Sequence, residues 1–204
     1  MQRRTFLIGA PLALAACGTQ PAVWAPDDLV ARAAYRHPGP PMLTLFTMKN
    51  TGTGNGNHTG LMINASQRVI FDPAGTFSAS TVPERNDLHY GITPRVEEFY
   101  ISYHARETYF VLRQDIPVTA GAAEIAFERA KVAGPVAQAA CTTSTARILQ
   151  GVPGFEGIRS SFFPDSLARQ FAALPGVREQ EFRETDSDDK DIAAAAFEAE
   201  IRAD

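Results

Sequence analysis

Cysteine is scarce in this chain, and what the chain lacks narrows its possible functions before any motif is read. Only two cysteines occur among 204 residues, at positions 17 and 141. No segment approaches the roughly 20 consecutive apolar residues that a transmembrane helix needs. No cluster of Lys and Arg interrupts a formal net charge of -4, which argues against nucleic acid as a partner. Four scattered histidines without a His-Glu-x-x-His pattern leave no zinc signature, and no cofactor or metal is expected. No Gly-x-Ser-x-Gly elbow is present. Gly52-Thr53-Gly54-Asn55-Gly56 is glycine-rich, but it joins two strand-like segments, where a phosphate-binding loop needs a helix next.

The N-terminus carries the export signals. Arg3 and Arg4 form a positive start, and Phe6 to Leu14 form an apolar run too short to span a bilayer. Gln2-Arg3-Arg4-Thr5-Phe6-Leu7 resembles a twin-arginine signal; an ordinary signal whose basic residues are both arginine is the alternative. Leu14-Ala15-Ala16-Cys17 resembles the lipobox of bacterial lipoproteins. That resemblance implies a signal peptide over residues 1–16 and a Cys17 thiol carrying lipid, diacylglycerol with palmitate-type chains. Losing Arg3 and Arg4, with no acidic residue before Cys17, takes the charge from -4 to -6. So acidic a chain does not adhere to anionic lipid by charge, and the lipid on Cys17 would be its membrane anchor. Gly18, rather than Asp, follows the cysteine, which points to the outer membrane, facing the periplasm. Cys141 is then the one free thiol in an oxidising compartment, where free thiols are usually paired or absent. Nucleophilic catalysis is the leading reason to keep it; a buried small hydrophobe is the alternative.

The rest reads as one domain of the α+β class with flanking segments. Residues 17–41 are rich in Pro, Ala and Gly and read as a tether, with room for a short helix over Asp27 to Arg36. Strand character begins at Met42 to Met48. Asn50 to Asn57 must be a turn or mobile loop. His58 to Asn64 and Arg68 to Asp72 read as a hairpin around Ala65-Ser66-Gln67, closed by Pro73. Val96 to Tyr103 and Thr108 to Arg113, aromatic and β-branched, read as a second pair of strands. Thr119 is a plausible N-cap for a helix through about Val132. A second helix is expected from about Ala140 to Gln150, and a third, capped by Asp165 or Ser166, carries Leu167, Phe171 and Leu174 on one face. Residues 184–204 form an acidic tail whose alanine run suits a surface helix and whose Asp186 to Asp191 stretch reads as disordered. The catalytic domain is therefore expected over 42–183.

His58, Asp72 and Cys141 are the constellation able to carry chemistry. Cys141 falls at a predicted helix start, where the dipole and free N–H groups lower a thiol pKa and could hold an oxyanion. His58 opens a strand beside the glycine-rich loop and could take and return a proton. Asp72 ends the neighbouring strand and could fix the His58 tautomer, or equally cap the Asp72-Pro73-Ala74-Gly75 turn. His37, His89 and His104 read as solvated or structural, with His104 the reserve base.

These same residues carry a resemblance. His58-Thr59-Gly60-Leu61-Met62-Ile63, Phe71-Asp72-Pro73-Ala74-Gly75 and Cys141-Thr142-Thr143 resemble a circularly permuted papain-like hydrolase. This is the branch of the NlpC-type superfamily in which the His strand precedes the Cys helix, a layout shared by lecithin retinol acyltransferase relatives. It covers about half the chain, His58 to Leu149. It implies an antiparallel sheet packed on helices, a Cys141 nucleophile, a His58 base and a variable third residue placed at Asp72. Members often carry Asn before the cysteine; Ala140 stands there in this chain. The implied activity is a cysteine hydrolase or acyltransferase, first on amide bonds of peptidoglycan peptides, second on a lipid ester or amide. The competing class is a non-catalytic envelope lipoprotein that uses the fold for binding.

Overall fold

The computed structural model describes residues 22–203. Cys17 and the signal segment lie outside them. The chain forms a seven-stranded antiparallel sheet and six helices among the described residues. Helix α1 is Asp27–Ala33; strands β1 Met42–Asn50, β2 Gly56–Asn64 and β3 Arg68–Phe71 follow. Next come β4 Glu84–Arg85, β5 Leu88–His89, α2 Pro94–His104, β6 Tyr109–Pro117, α3 Ala120–Lys131 and α4 Cys141–Gln150. Helix α5 Pro164–Ala172, β7 Arg178–Phe182 and α6 Lys190–Ala203 complete the chain. The strand order is β4-β5-β3-β2-β1-β6-β7.

Both faces of the sheet are covered, so β1 is buried almost throughout instead of alternating between core and water. Successive residues feed opposite cores. Leu43, Leu45, Leu61 and Ile63 join residues of α3, α4 and α5 in one cluster. Phe46, Met48, Met62 and Ile70 join Tyr100 and Tyr103 of α2 and Phe197 of α6 in the other. The hairpin of β2 and β3 forms as expected, with Leu61 opposite Phe71. Thr119 caps α3 by accepting from the Ala122 amide. Helix α4 begins at Cys141 itself. Helix α5 starts at Pro164, which needs no N–H there, with Asp165 in its first turn rather than at its cap. No described helix is long and apolar enough to cross a membrane.

Three expectations are corrected. Val96 to Tyr103 is not a strand but the body of α2. Thr93 accepts from the Val96 amide as N-cap and Pro94 occupies the first turn, while buried Val96, Tyr100 and Tyr103 recur at helical spacing. Caps and period outweigh the β preference of aromatic residues. The expected tether is packed from its Trp24 onward: Ala25 donates to the Glu84 carbonyl, Val30 is buried, and the Tyr35 carbonyl accepts from Arg68 N. The Asn50 to Asn57 segment takes the first of its two expected forms, a turn, with the Asn50 side chain accepting from the Gly52 and Thr53 amides. In the acidic tail the alanine run forms α6 as expected, but the Asp186 to Asp191 stretch is bound rather than disordered. The Asp186 carbonyl accepts from Glu107 N, and Phe197 stacks on Phe99 with ring centroids 4.0 Å apart.

Candidate active site

The site lies where the start of β2, the end of β3 and the N-terminus of α4 meet. Two threonines join the helix to the strand: Thr59 Oγ1 and Thr142 Oγ1 lie 3.2 Å apart, both fully buried. That contact sets Cys141 against the strand that carries His58. The thiol is 3.7 Å from Thr142 Oγ1 and receives a backbone hydrogen bond from Thr59. Cys141 itself is only 7% exposed.

His58 Nε2 donates to Asp72 Oδ1 at 2.7 Å. This fixes the ring and leaves Nδ1 unused by Asp72, and the imidazole lies close enough to the Cys141 sulfur for each to shift the other's pKa. The structure thus brings together Cys141, His58 and Asp72. Of the two roles left open by its sequence, the Asp72 side chain takes the first: its carboxylate holds His58, while the turn is closed by the main-chain carbonyl, which accepts from Gly75 N, and not by a side-chain cap.

The charges follow from this geometry. Burial alone would push the His58 imidazole down, but the Asp72 carboxylate outweighs it and raises the pKa to about 10. Burial would likewise raise Asp72; the His58 charge holds it far below the ordinary carboxylate range. Burial pushes the Cys141 thiol up, yet the hydrogen bond and charge of His58 bring it below its ordinary value. Together these shifts favour a thiolate beside an imidazolium. Ala140 makes no side-chain cap, and the first helical amides of α4 fall outside the helical ladder. They are the N–H groups available to an oxyanion.

The sequence reading missed Tyr100. Its hydroxyl donates to Asp72 Oδ1 at 2.8 Å, so that one oxygen accepts from two donors. Gly60 makes the approach possible: a Cβ there would overlap the Tyr100 hydroxyl. Gly75 does the same for the other carboxylate oxygen, because Asp72 Oδ2 fills the space of its missing Cβ. The Thr93-Pro94 helix start could have exposed Tyr100, since it turns 96–103 into a helix with one face on the sheet.

His104 is not a usable base. It is buried, its Nδ1 donates to the Tyr100 carbonyl at 2.8 Å, and burial pushes its pKa down to about 3. Its ring stacks against His58 with centroids 6.1 Å apart. One ligand atom each from His58, Asp72 and His104 lies within 4.8 Å of the others, a spacing a metal ion could use. Within the trio His58 bonds Asp72 directly, whereas His104 is tied to the Tyr100 main-chain carbonyl and to neither of the other two.

No family model, curated protein or solved structure matches this chain. The site therefore rests on its own geometry. A cleft of about 410 Å³ opens beside His58, lined also by His104, Thr76, Arg106, Thr108 and Lys190 among others; Cys141 and Asp72 lie behind His58 and do not line it. Of the Asn50 to Asn57 loop, expected to border it, only Asn57 contributes. The unexpected wall is the C-terminal segment, through Asp188 and Lys190.

Proposed function

We propose that the protein is a cysteine hydrolase or acyltransferase of the cell envelope, built on a permuted papain-like fold and anchored through lipid on Cys17. The single observation that carries the reading is the Cys141–His58–Asp72 chain, from residues 83 and 69 positions apart, in which each neighbour shifts the next towards its reactive state. The Cys141 thiolate attacks a carbonyl carbon, and the α4 amides hold the resulting oxyanion. His58 delivers its Nδ1 proton to the leaving amine or alcohol as the carbonyl reforms. The acyl-enzyme is then released by water, or by an acceptor alcohol or amine, which His58 deprotonates on attack. Asp72 keeps the tautomer and balances the imidazolium.

Amide bonds of peptidoglycan peptides are the first substrate class, and a lipid ester or amide the second. A binding protein that keeps the fold without turnover is the competing reading. The test is hydrolysis of muropeptides and of lipid esters by the wild type and by Cys141→Ala. Turnover of one class, lost in Cys141→Ala, is expected. Turnover retained at near the wild-type rate in the variant would remove Cys141 as nucleophile.

A further inference from the structure

Two cations, Arg106 and Lys190, line the cleft beside His58 without a close carboxylate partner. Lys190, the first residue of α6, lines the cleft, donates to Thr76 Oγ1 at 2.9 Å and lies over the Tyr103 ring. No carboxylate oxygen comes within 4.0 Å of its ammonium among the described residues. The Arg106 side chain is 8% exposed, yet its one ion pair is a 3.6 Å contact to the solvent-facing Asp186. Its buried Nε has no hydrogen-bond partner. Arg106 stands between this cleft and the groove separating α2 from α6.

The acid that lines the cleft, Asp188, is hydrogen-bonded elsewhere. Both oxygens of Asp188 accept from Thr108, one from its amide at 3.0 Å and one from its hydroxyl. The cleft therefore already seats one carboxylate of the chain's own, while the cations keep unused donors. A buried guanidinium nitrogen without a partner is costly, and a ligand oxyanion would relieve it.

We propose that Arg106 and Lys190 form a carboxylate subsite next to the catalytic pair, so that the preferred substrate bears a carboxylate close to its scissile carbonyl. This rests on the cysteine-hydrolase reading above and adds the substrate's charge. The C-terminal segment then belongs to the active site, since Lys190 comes from it. A fixed positive charge there orients an anionic substrate and excludes its neutral isostere, which leaves the cations unpaired.

Two alkylating agents of nearly the same size read the subsite directly. Iodoacetate carries a carboxylate and iodoacetamide does not; in both, the Cys141 thiolate forms the S–C bond as iodide leaves. Rates are measured on the Cys141 peptide of the full chain by mass spectrometry. The expected iodoacetate-to-iodoacetamide rate ratio exceeds that of free cysteine and falls about tenfold in Lys190→Met, the scale of one charge-assisted hydrogen bond. Lys190→Arg restores it, and Asp188→Asn raises it by removing a like charge. In the wild type, an N-acetyl amino acid should protect Cys141 better than its amide does, a measurement that needs no variant to fold. A ratio unchanged in Lys190→Met, or equal protection by acid and amide, overturns the subsite. Failure of iodoacetamide to alkylate Cys141 at all defeats the nucleophile instead, and the subsite with it.

Discussion

The two faces of the sheet supply different things to the same site. The face covered by α3, α4 and α5 is an apolar core, and it delivers the sulfur by packing: Ile148 and Leu149 of α4 are buried in it, and two threonine hydroxyls fix the helix start. The face covered by α2 and α6 delivers the electrostatics. Tyr100, His104 and Lys190 come from those two helices and surround Asp72 and His58. Position is thus set by non-directional burial on one side, and charge by directional hydrogen bonds on the other. The second side is the more fragile, because each buried polar group there depends on its neighbour.

Within that side, two histidines with nearly stacked rings have opposite fates. His58 meets a carboxylate and is raised to about 10; His104 meets a backbone carbonyl and is pushed to about 3. The hydrogen-bond partner, not burial, decides which one holds a proton at neutral pH. Removing the partner should erase the difference. Asp72→Asn is therefore expected to lower kcat/KM by about 10²–10⁴-fold, by losing both tautomer control and the counter-charge. Steady-state rates of the two proteins check it; a loss under about threefold would leave Asp72 as a turn residue alone.

Gly60→Ala tests the contribution of α2 through the backbone. The new methyl would occupy the place of the Tyr100 hydroxyl, pushing α2 off β2 or breaking the Tyr100–Asp72 bond. A loss of about 1–3 kcal/mol is expected from overpacking, read as a shift in denaturant midpoint. Tyr100→Phe removes the hydroxyl without the clash and should cost about 1 kcal/mol. Equal costs for both would mean that Gly60→Ala acts by breaking the Tyr100–Asp72 bond and that overpacking adds nothing.

The pH dependence sharpens the same contrast. Because Cys141 is lowered by the charge of His58, alkylation of Cys141 by iodoacetamide should level off at a lower pH than that of an ordinary thiol. An ordinary thiol would instead gain about tenfold per pH unit up to its pKa of about 8.5. Stability carries the corresponding sign. A raised His58 contributes fully below its ordinary 6.5, and that contribution is lost as pH rises towards about 10. The stability difference between wild type and His58→Ala should shrink over that window.

Legibility in the sequence followed the two faces. The His58 hairpin, the Thr119 cap and the start of the Cys141 helix could be read because each has a local signature: alternation with a turn, a hydroxyl cap, a break before an apolar stripe. The supporting side could not be read the same way. Its helix α2 is dense in Phe, Tyr and Ile, which mimics a strand, and its closest approach to Asp72 depends on the absence of a Cβ at Gly60, a tertiary fact. The tail misled for a related reason. Its acidic composition suggests solvation, but it is held by few, specific contacts such as Asp188 on Thr108 and Phe197 on Phe99. Short β4 and β5 and the charged edge strand β7 have too little apolar pattern to be noticed.

The smallest expected effect concerns the apolar side, at the turn that leads into Cys141. Ala139 sits two residues before Cys141 with φ of 64°, in the left-handed region that a side chain disfavours. Holding a non-glycine residue there costs about 1–2 kcal/mol, while glycine loses about 0.5–1 kcal/mol more chain entropy on folding. Ala139 is exposed, so its methyl contributes little packing to set against this. Ala139→Gly should accordingly raise stability slightly, by no more than about 1 kcal/mol. If the strained turn also fixes where α4 begins, relaxing it should loosen the Cys141 thiol from His58. The alkylation rate at pH 7 should then fall by a few-fold even as the denaturant midpoint rises. A rise in midpoint with an unchanged rate would show that the threonine pair alone positions the sulfur, and that the turn's strain serves no purpose in the site.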